Sequence, residues 1–211
     1  MQDSRASSTR KRTRIQKENE QKILNGALEV FSKNGFRGST IDQIAEISGM
    51  SKPNLLYYFK NKEAIITVLI DQLLDIWLSP LKEIDADGDP LVEIKRYIER
   101  KLEMSRDFPR ESRLFANEIL QGAPRIRSEL EELKRLVDEK AVIIRGWIKA
   151  GKLADCDPYH LLFSIWATTQ HYADFDVQVR TVLDPQKASA QRFDDAAKFL
   201  NQLFIEGLRP K

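Results

Sequence analysis

The stretch TIDQIAEISGMSKPNLLYYF, residues 40–59, contains two short helical patterns separated by a glycine. Thr40 followed by Gln43 is a capping-box pattern that opens the first helix, and Gly49 ends it. Ser51 provides a cap for the second helix. The two predicted helices span residues 41–48 and 52–58. Two short helices joined by a tight turn, in which glycine supplies the positive φ, form a helix-turn-helix.

The second of these helices is the element that a helix-turn-helix places in the major groove of DNA, with its N-terminal residues at the base edges. Its start offers Ser51, Lys52 and Asn54, whose side chains hydrogen-bond bases or phosphates. The apolar side chains of the same segment are assigned to the core of the domain: Leu55, Leu56 and Phe59. A bare helix-turn-helix pattern is weak support for DNA binding, because many helical hairpins share it.

Outside this stretch, apolar residues recur at three- and four-residue steps, and prolines and glycines divide the chain into further helices. The sequence shows no alternating strand pattern. We therefore predict an all-α protein of about nine helices, with an N-terminal helix-turn-helix domain followed by a helical ligand-binding and dimerisation domain. The predicted domains are a disordered basic arm over 1–15, a DNA-binding domain over 16–62, and an effector-binding and dimerisation domain over 63–211.

Positive charge is concentrated at the N-terminal end of the chain. The formal net charge is only +2. Residues 1–62, however, hold 12 Lys and Arg against 6 Asp and Glu, whereas the remainder holds 22 against 26. The N-terminal segment therefore attracts a polyanion such as DNA, and the rest of the chain repels one. A basic arm is also often simply solvated, so the charge alone leaves that alternative open.

The composition, 42% hydrophobic and 31% charged, is typical of a soluble globular protein with a substantial core. No apolar run approaches the ~18–20 residues of a membrane span, and residues 1–22 lack the apolar region of a secretory signal. Cys156 is the only cysteine, which excludes a disulfide within the chain and fits a reducing compartment. These features predict a cytoplasmic protein with no membrane partner.

The sequence lacks the nucleophile-elbow, phosphate-loop, dinucleotide-binding and zinc-protease motifs of common enzyme classes. With two histidines and one cysteine, most pairs of nucleophile and base are unavailable to it. His171 and Asp174 have the spacing of metal ligands, but two ligands make no site. We therefore expect no enzyme, no catalytic residue, no metal and no cofactor. The competing interpretations are a DNA-binding protein that senses no ligand and a protein-interaction module.

The longer segment 23–69, which contains the helix-turn-helix, resembles the N-terminal region of the TetR family of repressors. Residues 27–65 read ALEVFSKNGFRGSTIDQIAEISGMSKPNLLYYFKNKEAI. The features that carry the resemblance are the phenylalanine shortly before Gly35, the threonine that opens the first short helix, the frame Ala45, Gly49 and Ser51, and the ending Tyr-Tyr-Phe followed by Lys-Glu. The resemblance covers about a quarter of the chain and implies a repressor that binds palindromic operator DNA as a homodimer.

The same resemblance implies roles for individual residues. Thr40, Tyr57 and Lys62 would hold phosphates, while the start of the second short helix reads bases. The predicted DNA-binding residues are Thr40, Ser51, Lys52, Pro53, Asn54, Tyr57, Tyr58 and Lys62. The alternative for Tyr57 and Tyr58 is that they are core aromatics of the domain.

The larger, C-terminal part of the chain resembles the Rut-type pyrimidine-utilisation regulators within the TetR family. The segments that carry this resemblance read LLDIWLSPLK, SRLFANEILQGAP, DEKAVIIRGWIKAGKL and IWATTQHYADF. If the resemblance extends to the ligand, the effector is a pyrimidine such as uracil or thymine. The alternatives are an unrelated apolar or aromatic effector and a protein that responds to none.

Polar and aromatic residues within otherwise apolar helices predict where such an effector binds. The predicted effector-binding residues are Trp77, Arg113, Asn117, Trp166 and Gln170. An indole can stack on a planar ring, and the amide of Gln170 offers a donor beside an acceptor, which matches the edge of a uracil-like ring. The alternatives are that both tryptophans are plain core, that Gln170 serves a backbone group or the dimer seam, and that Arg113 pairs with Glu118 or with a surface acid such as Glu29.

The last two predicted helices, about 158–176 and 188–207, carry more apolar surface than one domain can bury, notably a stripe on the second that we assign to a dimer interface. The predicted interface residues are Phe193, Ala197, Leu200 and Phe204. In TetR-like proteins the equivalent helices pair with those of a second subunit in a four-helix bundle. On this assignment, Leu200→Glu yields a monomer that no longer binds the operator.

Overall fold

The computed structural model describes residues 13–183 and 188–210. These residues form ten α-helices and no strand, which confirms the all-α prediction. The helices are α1 (Arg14–Asn34), α2 (Ile41–Ile47), α3 (Lys52–Tyr58), α4 (Lys62–Lys82), α5 (Pro90–Asp107), α6 (Pro109–Leu120), α7 (Arg127–Lys149), α8 (Pro158–Asp174), α9 (Asp176–Val182) and α10 (Ser189–Leu208). The helix that the sequence did not predict is α9, a short element directly after α8.

The chain divides into two compact units, Met1–Ile66 and Thr67–Lys211. The division lies inside α4, four residues beyond the predicted boundary between residues 62 and 63. At the N-terminus, Thr13 caps α1 through a capping box with Gln16, so the helix begins earlier than the predicted domain start at residue 16. Most of the predicted arm, residues 1–12, lies outside the described residues.

The first unit encloses a small core built from α1, α2 and α3. Ile23, Phe31, Ile44 and Leu55 are fully buried there. Leu56 is 39% exposed, so its assignment to the core was wrong. The reason is geometric, because Leu55 and Leu56 differ by about 100° around a helix and only one of them can face α1 and α2.

The second unit has its core between α5, α8 and α10, with residues from α7 closing it. Ile98, Ile144, Leu162 and Ile165 are almost completely buried in it. A hydrogen bond from Ala154 N to Leu208 O (2.9 Å) fastens the end of α10 to the loop after α7. Residues of α4, α5 and α8 in this core also line the cavity that is described below.

Among the described residues, α4 is long and apolar enough to cross a membrane by length and composition, with a mean hydropathy of 1.6. The prediction that no apolar run approaches the length of a membrane span was therefore wrong for this helix. More than half of its apolar window, 56%, is buried within the protein. Burial of that extent is what a core helix shows when its apolar face packs against neighbouring helices.

Candidate functional site

The helix-turn-helix has the local geometry that its sequence predicts. Thr40 caps α2, because its hydroxyl accepts a hydrogen bond from Gln43 N (3.2 Å) while Gln43 Oε1 accepts one from Thr40 N (2.9 Å). Gly49 adopts a φ of 65° in the turn, which glycine reaches without steric cost. Ser51 caps α3, with its hydroxyl accepting from Asn54 N at 3.4 Å.

The residues at the start of α3 do not pack into the core of the first unit. Four consecutive residues there are exposed: Ser51, Lys52, Pro53 and Asn54. The ammonium of Lys52 forms an ion pair with Asp42 on α2 at 2.9 Å, and both side chains are at least half exposed. Exposed pairs of this kind are worth at most about 1 kcal/mol and are weakened by salt. A stronger anion can therefore displace Asp42 at little cost.

The two adjacent tyrosines at the end of α3 differ in their environment. Tyr57 is 71% exposed. Tyr58 is half-buried, and its hydroxyl accepts a hydrogen bond from Asn19 Nδ2 at 3.0 Å. The two rings meet edge to face with their centroids 5.2 Å apart. Tyr58 thus joins α3 to α1, which favours the core alternative for this residue and leaves Tyr57 as the tyrosine available to DNA.

Lys62, predicted to hold a phosphate, is engaged within the first unit. Its ammonium donates hydrogen bonds to Phe36 O and Ser39 O, both at 2.7 Å. It also lies 4.2 Å from the centroid of the Phe36 ring. Because an ammonium has three donors, two bonds to carbonyls leave one for a phosphate oxygen. Lys62 therefore stabilises the loop between α1 and α2 in addition to any contact with DNA.

The second unit contains a cavity of about 60 Å³. Its walls come from five helices, α4 to α8, with α6 contributing a single aromatic side chain. The lining residues are Leu74, Trp77, Leu78, Leu81, Tyr97, Lys101, Phe115, Leu133, Trp166 and Gln170. On the scale where one water needs about 10–15 Å³, this space corresponds to roughly four to six waters, which suits a ligand with a single ring.

Three of the five predicted effector-binding residues lie together in this cavity: Trp77, Trp166 and Gln170. The indole N–H of Trp166 donates to the hydroxyl of Tyr97 at 2.6 Å. The indole N–H of Trp77 is buried and has no hydrogen-bond partner within the described parts of the chain. An unsatisfied buried donor is costly in an unliganded protein, and a ligand with an acceptor oxygen would remove that cost.

The other two predicted residues, Arg113 and Asn117, do not line the cavity. Arg113 donates instead to Ala173 O at 3.0 Å. The helix α6 turns Phe115 toward the cavity, and residues two positions to either side point roughly 160° away from it. Arg113 does not pair with Glu118 either, because the partner of Glu118 is Arg125, at 2.9 Å.

Two polar residues of the cavity were missed by sequence reasoning, Tyr97 and Lys101. Both lie on the buried face of α5, where they occupy positions i and i+4 between Ile94 and Leu102. A lysine at an apolar position of an amphipathic helix is unusual, and that signal is present in the sequence. The side chain of Lys101 lies with its ammonium 4.5 Å from the centroid of the Trp77 ring.

Burial shapes the ionisation of the groups around the cavity. Desolvation lowers the pKa of Lys101 to about 7, although the charge of Asp174 opposes the shift. Desolvation raises the pKa of Tyr97 above its ordinary value. Burial also raises the pKa of Asp174, against a hydrogen bond from the hydroxyl of Ser112 (2.6 Å) and the nearby charge of Arg113. The charge of Lys101 therefore changes near neutral pH.

The predicted dimer stripe on α10 faces the core of its own unit. Leu200 is only 3% exposed, and the other three residues, Phe193, Ala197 and Phe204, are partly buried against the same core. Leu200 therefore has no surface to offer to a second subunit. The exposed apolar side chains of α10 lie on an adjoining face, with Phe199 61% and Leu203 52% exposed.

Comparison with known proteins agrees with this architecture. Residues 23–69 match the family described as "Bacterial regulatory proteins, tetR family", and residues 70–211 match the family described as "YcdC-like protein, C-terminal region". The HTH-type transcriptional regulator RutR of Escherichia coli (strain K12) is 49% identical over 205 residues, which cover 97% of each chain. The HTH-type transcriptional repressor NicS of Pseudomonas putida is 24% identical over 193 residues, 89% of this chain and 91% of that one.

Solved structures show the same fold at low sequence identity. The ketosteroid transcriptional regulator KstR2 of Mycobacterium tuberculosis superposes with a TM-score of 0.73 at 18% identity, over 91% of this chain and 95% of that one. The structure of AibR in complex with isovaleryl coenzyme A and operator DNA superposes with a TM-score of 0.69 at 17% identity, over 88% and 97% of the two chains. The two family matches adjoin, and the second alone spans more than half of the sequence. This chain belongs to the TetR family of bacterial transcriptional regulators.

Proposed function

We propose that the protein is a ligand-responsive repressor that binds palindromic operator DNA as a homodimer and releases it when a small planar effector, a pyrimidine such as uracil or thymine, binds. The observation that carries this proposal is the single-ring cavity bounded by the indoles of Trp77 and Trp166 and the amide of Gln170. The alternative is a TetR-type repressor whose effector is an unrelated apolar or aromatic compound. We infer a cytoplasmic regulator rather than an enzyme.

In this proposal, α3 reads the operator through its exposed start, and Thr40, Tyr57 and the third donor of Lys62 hold phosphates. Exposed helix N-termini favour this, since their free backbone N–H groups suit phosphate oxygens. Phosphate contacts set the register of the protein on the duplex, and contacts to base edges give the sequence preference. Pro53, at the second position of α3, fixes the backbone at the start of the reading helix.

Replacing Lys52 or Asn54 with alanine is expected to cost roughly 1–3 kcal/mol in operator binding and to relax the base preference. Tyr57→Phe is expected to weaken binding to all DNA sequences by the same factor, because it removes a phosphate contact. Binding-site selection with each purified variant, followed by fluorescence anisotropy at two salt concentrations, separates the two effects. An unchanged selected sequence for both Lys52→Ala and Asn54→Ala would show that α3 is not the reading helix.

The cavity supports a planar effector through shape and hydrogen bonding. Indole rings offer flat apolar walls, and Gln170 presents a donor and an acceptor side by side. Apart from Gln170, Tyr97 and Lys101, the cavity is lined by aliphatic and aromatic side chains, so few polar groups fix the orientation of the ligand, as is usual for small-molecule sites. The carbonyl and N–H edge of uracil or thymine complements the amide of Gln170.

A single helix, α4, carries both Lys62, which we place at the operator, and Trp77, which lines the cavity. A ligand that fits one position of α4 better than another shifts the equilibrium between DNA-binding and released states. The ligand can shift this equilibrium only by as much as its binding free energies to the two states differ. A typical coupling of about 1–3 kcal/mol would weaken operator binding about 5- to 150-fold.

Adding uracil to the complex with the operator is therefore expected to release the DNA, with the affinity falling about 5- to 150-fold. Gln170→Leu is expected to bind the operator normally and to ignore the ligand, because it loses the amide that matches the ring edge. Gln178→Leu, at an exposed position of α9, serves as the matched control and should respond like the unchanged protein. If neither uracil nor thymine changes the anisotropy of a labelled operator bound to the protein, the pyrimidine effector is excluded. It is also excluded if Gln170→Leu releases the operator on addition of uracil as fully as the unchanged protein does.

We place the dimer interface on the exposed apolar face of α10, which contains Phe199 and Leu203. Paired helices from two subunits would bury these side chains, and exposed phenylalanine and leucine on one helix face favour such a contact. A dimer is also what a palindromic operator requires, since each half-site takes one helix-turn-helix about one turn, ~34–36 Å, from the other.

A further inference from the structure

The buried amino group of Lys101 has no partner that neutralises its charge. The residue is 3% exposed. Within residues 13–183 and 188–210, its Nζ makes no hydrogen bond or ion pair. The Nζ lies over the face of the Trp77 ring, 4.5 Å from the ring centroid. An isolated ammonium is expensive to bury. Yet this one lines a cavity that is large enough to admit a ligand.

Four of the helices around Lys101 contribute a group that bears on its charge. The α4 residue Trp77 offers a ring face, and the α5 residue Tyr97 offers a hydroxyl. From α8, Gln170 offers a neutral amide, and Asp174 is the carboxylate whose charge acts on Lys101. Asp174 accepts a hydrogen bond from Ser112 on α6, and its charge is shared with Arg113 and His171. Asp174 therefore acts on Lys101 through its charge, without an ion pair or hydrogen bond between the two side chains in the described residues.

The cavity also offers more hydrogen-bond donors than acceptors. The indole N–H of Trp77 is buried without a partner in the described chain. The hydroxyl of Tyr97 already accepts from Trp166, so its own proton remains to be donated. A ligand that satisfies an ammonium, an indole N–H and a phenol O–H must present several acceptor atoms. A negative charge on those acceptors strengthens each of these bonds.

We propose that the cavity binds its effector as a small planar anion, with the Lys101 ammonium as its counter-ion. The inference rests on the proposed function, because it takes this cavity to be the effector site. For uracil or thymine, the anion forms by loss of a ring N–H proton, and the charge spreads over that nitrogen and the neighbouring oxygens. The proton passes to Lys101 when its amine is neutral and to the solvent when the ammonium is already charged.

With Lys101 as the counter-ion, the number of protons taken up when the ligand binds depends on pH. Burial lowers the pKa of Lys101 to about 7 in the empty cavity, and an anion beside it raises that pKa again. At pH 8 the amine is therefore mostly neutral, so binding of a ring that is already ionised draws about one proton from the solvent. At pH 6 the amine is already charged, and the uptake falls.

Isothermal titration calorimetry of the 211-residue protein counts these protons when each pH is measured in two buffers that differ in ionisation enthalpy. The ligands are barbiturate, uracil and 5,6-dihydrouracil, in falling order of ring acidity, with benzoate and benzamide as an ionised and a neutral ring of another class. We expect barbiturate to bind at least about tenfold more tightly than dihydrouracil. We also expect uptake of about one proton with barbiturate at pH 8 and little at pH 6.

Lys101→Met should lose both the proton uptake and the preference for acidic rings, and a thermal melt checks that it folds. Lys95→Met, at an exposed position of the same helix, should keep both.

If uracil binds and releases the operator, but dihydrouracil binds as tightly as barbiturate without proton uptake, the anion proposal is overturned and the pyrimidine function stands. If benzoate binds with proton uptake and pyrimidines do not, the pyrimidine effector fails and the anion proposal stands. If no compound binds, both fail.

Discussion

Replacing Leu200 with glutamate is expected to unfold the second unit instead of producing a folded monomer. Leu200 is 3% exposed and lies in the core between α10, α5 and α8. A carboxylate at that position would be buried without a partner, and the packing of a large aliphatic side chain would be lost as well. We expect a loss of more than about 4 kcal/mol in the free energy of unfolding. Urea denaturation followed by circular dichroism measures it.

Leu203→Glu is the matched comparison, three residues further along the same helix. Leu203 is 52% exposed, so the charge remains in water within one subunit and the fold should be retained. If the exposed face of α10 forms the dimer interface, the variant should sediment as a monomer and lose the operator. A Leu200→Glu protein that is folded and monomeric would contradict the packing of α10 described here. A Leu203→Glu protein that remains a dimer would move the interface elsewhere.

The second large effect is expected for Glu118→Ala at the end of α6. The carboxylate of Glu118 is 2% exposed and accepts hydrogen bonds from the backbone N and the guanidinium of Arg125, both at 2.9 Å. It thus fastens the turn between α6 and α7, where Gly122 and Ala123 both adopt positive φ, 85° and 53°. Removing one partner of a buried ion pair costs about 3–5 kcal/mol, and here the backbone N of Arg125 loses this acceptor as well. Thermal and urea unfolding should both report the loss.

An exposed ion pair provides the control for this substitution. Glu103 on α5 is paired with Arg100 at 2.9 Å, and both side chains are about half exposed. Glu103→Ala should therefore change the free energy of unfolding by less than about 1 kcal/mol. Equal effects of the two substitutions would mean that Glu118 does not fasten the turn in solution.

The helix-turn-helix could be predicted closely because its boundaries depend on local interactions. The capping box at Thr40, the glycine at position 49 and the serine at position 51 each fix a helix end within a few residues. The helices predicted over 41–48 and 52–58 are Ile41–Ile47 and Lys52–Tyr58 in the structure. What the local pattern could not settle was which way each side chain turns, as Leu56 and Tyr58 show.

The cavity and the dimer face depend on how whole helices are rotated, and sequence patterns specify this poorly. Trp77, Trp166 and Gln170 reach the cavity, whereas Arg113 faces the backbone of α8. On α10, apolar residues occupy two adjoining faces, so the pattern alone could not tell the face that meets the core from the one left open. Lys101 was missed for another reason, since a lysine is ordinarily assigned to the surface.

The distribution of tryptophans gives the protein a built-in optical reporter. Of its three tryptophans, Trp77 and Trp166 line the cavity. Trp147 is buried elsewhere in the core, with its indole N–H bonded to Ala86 O at 3.0 Å. A ligand that stacks on the first two indoles, or changes the charge of the ammonium above Trp77, must alter their emission while Trp147 supplies a constant background. Occupancy of the cavity can therefore be followed by intrinsic fluorescence, without a label and in the presence of DNA.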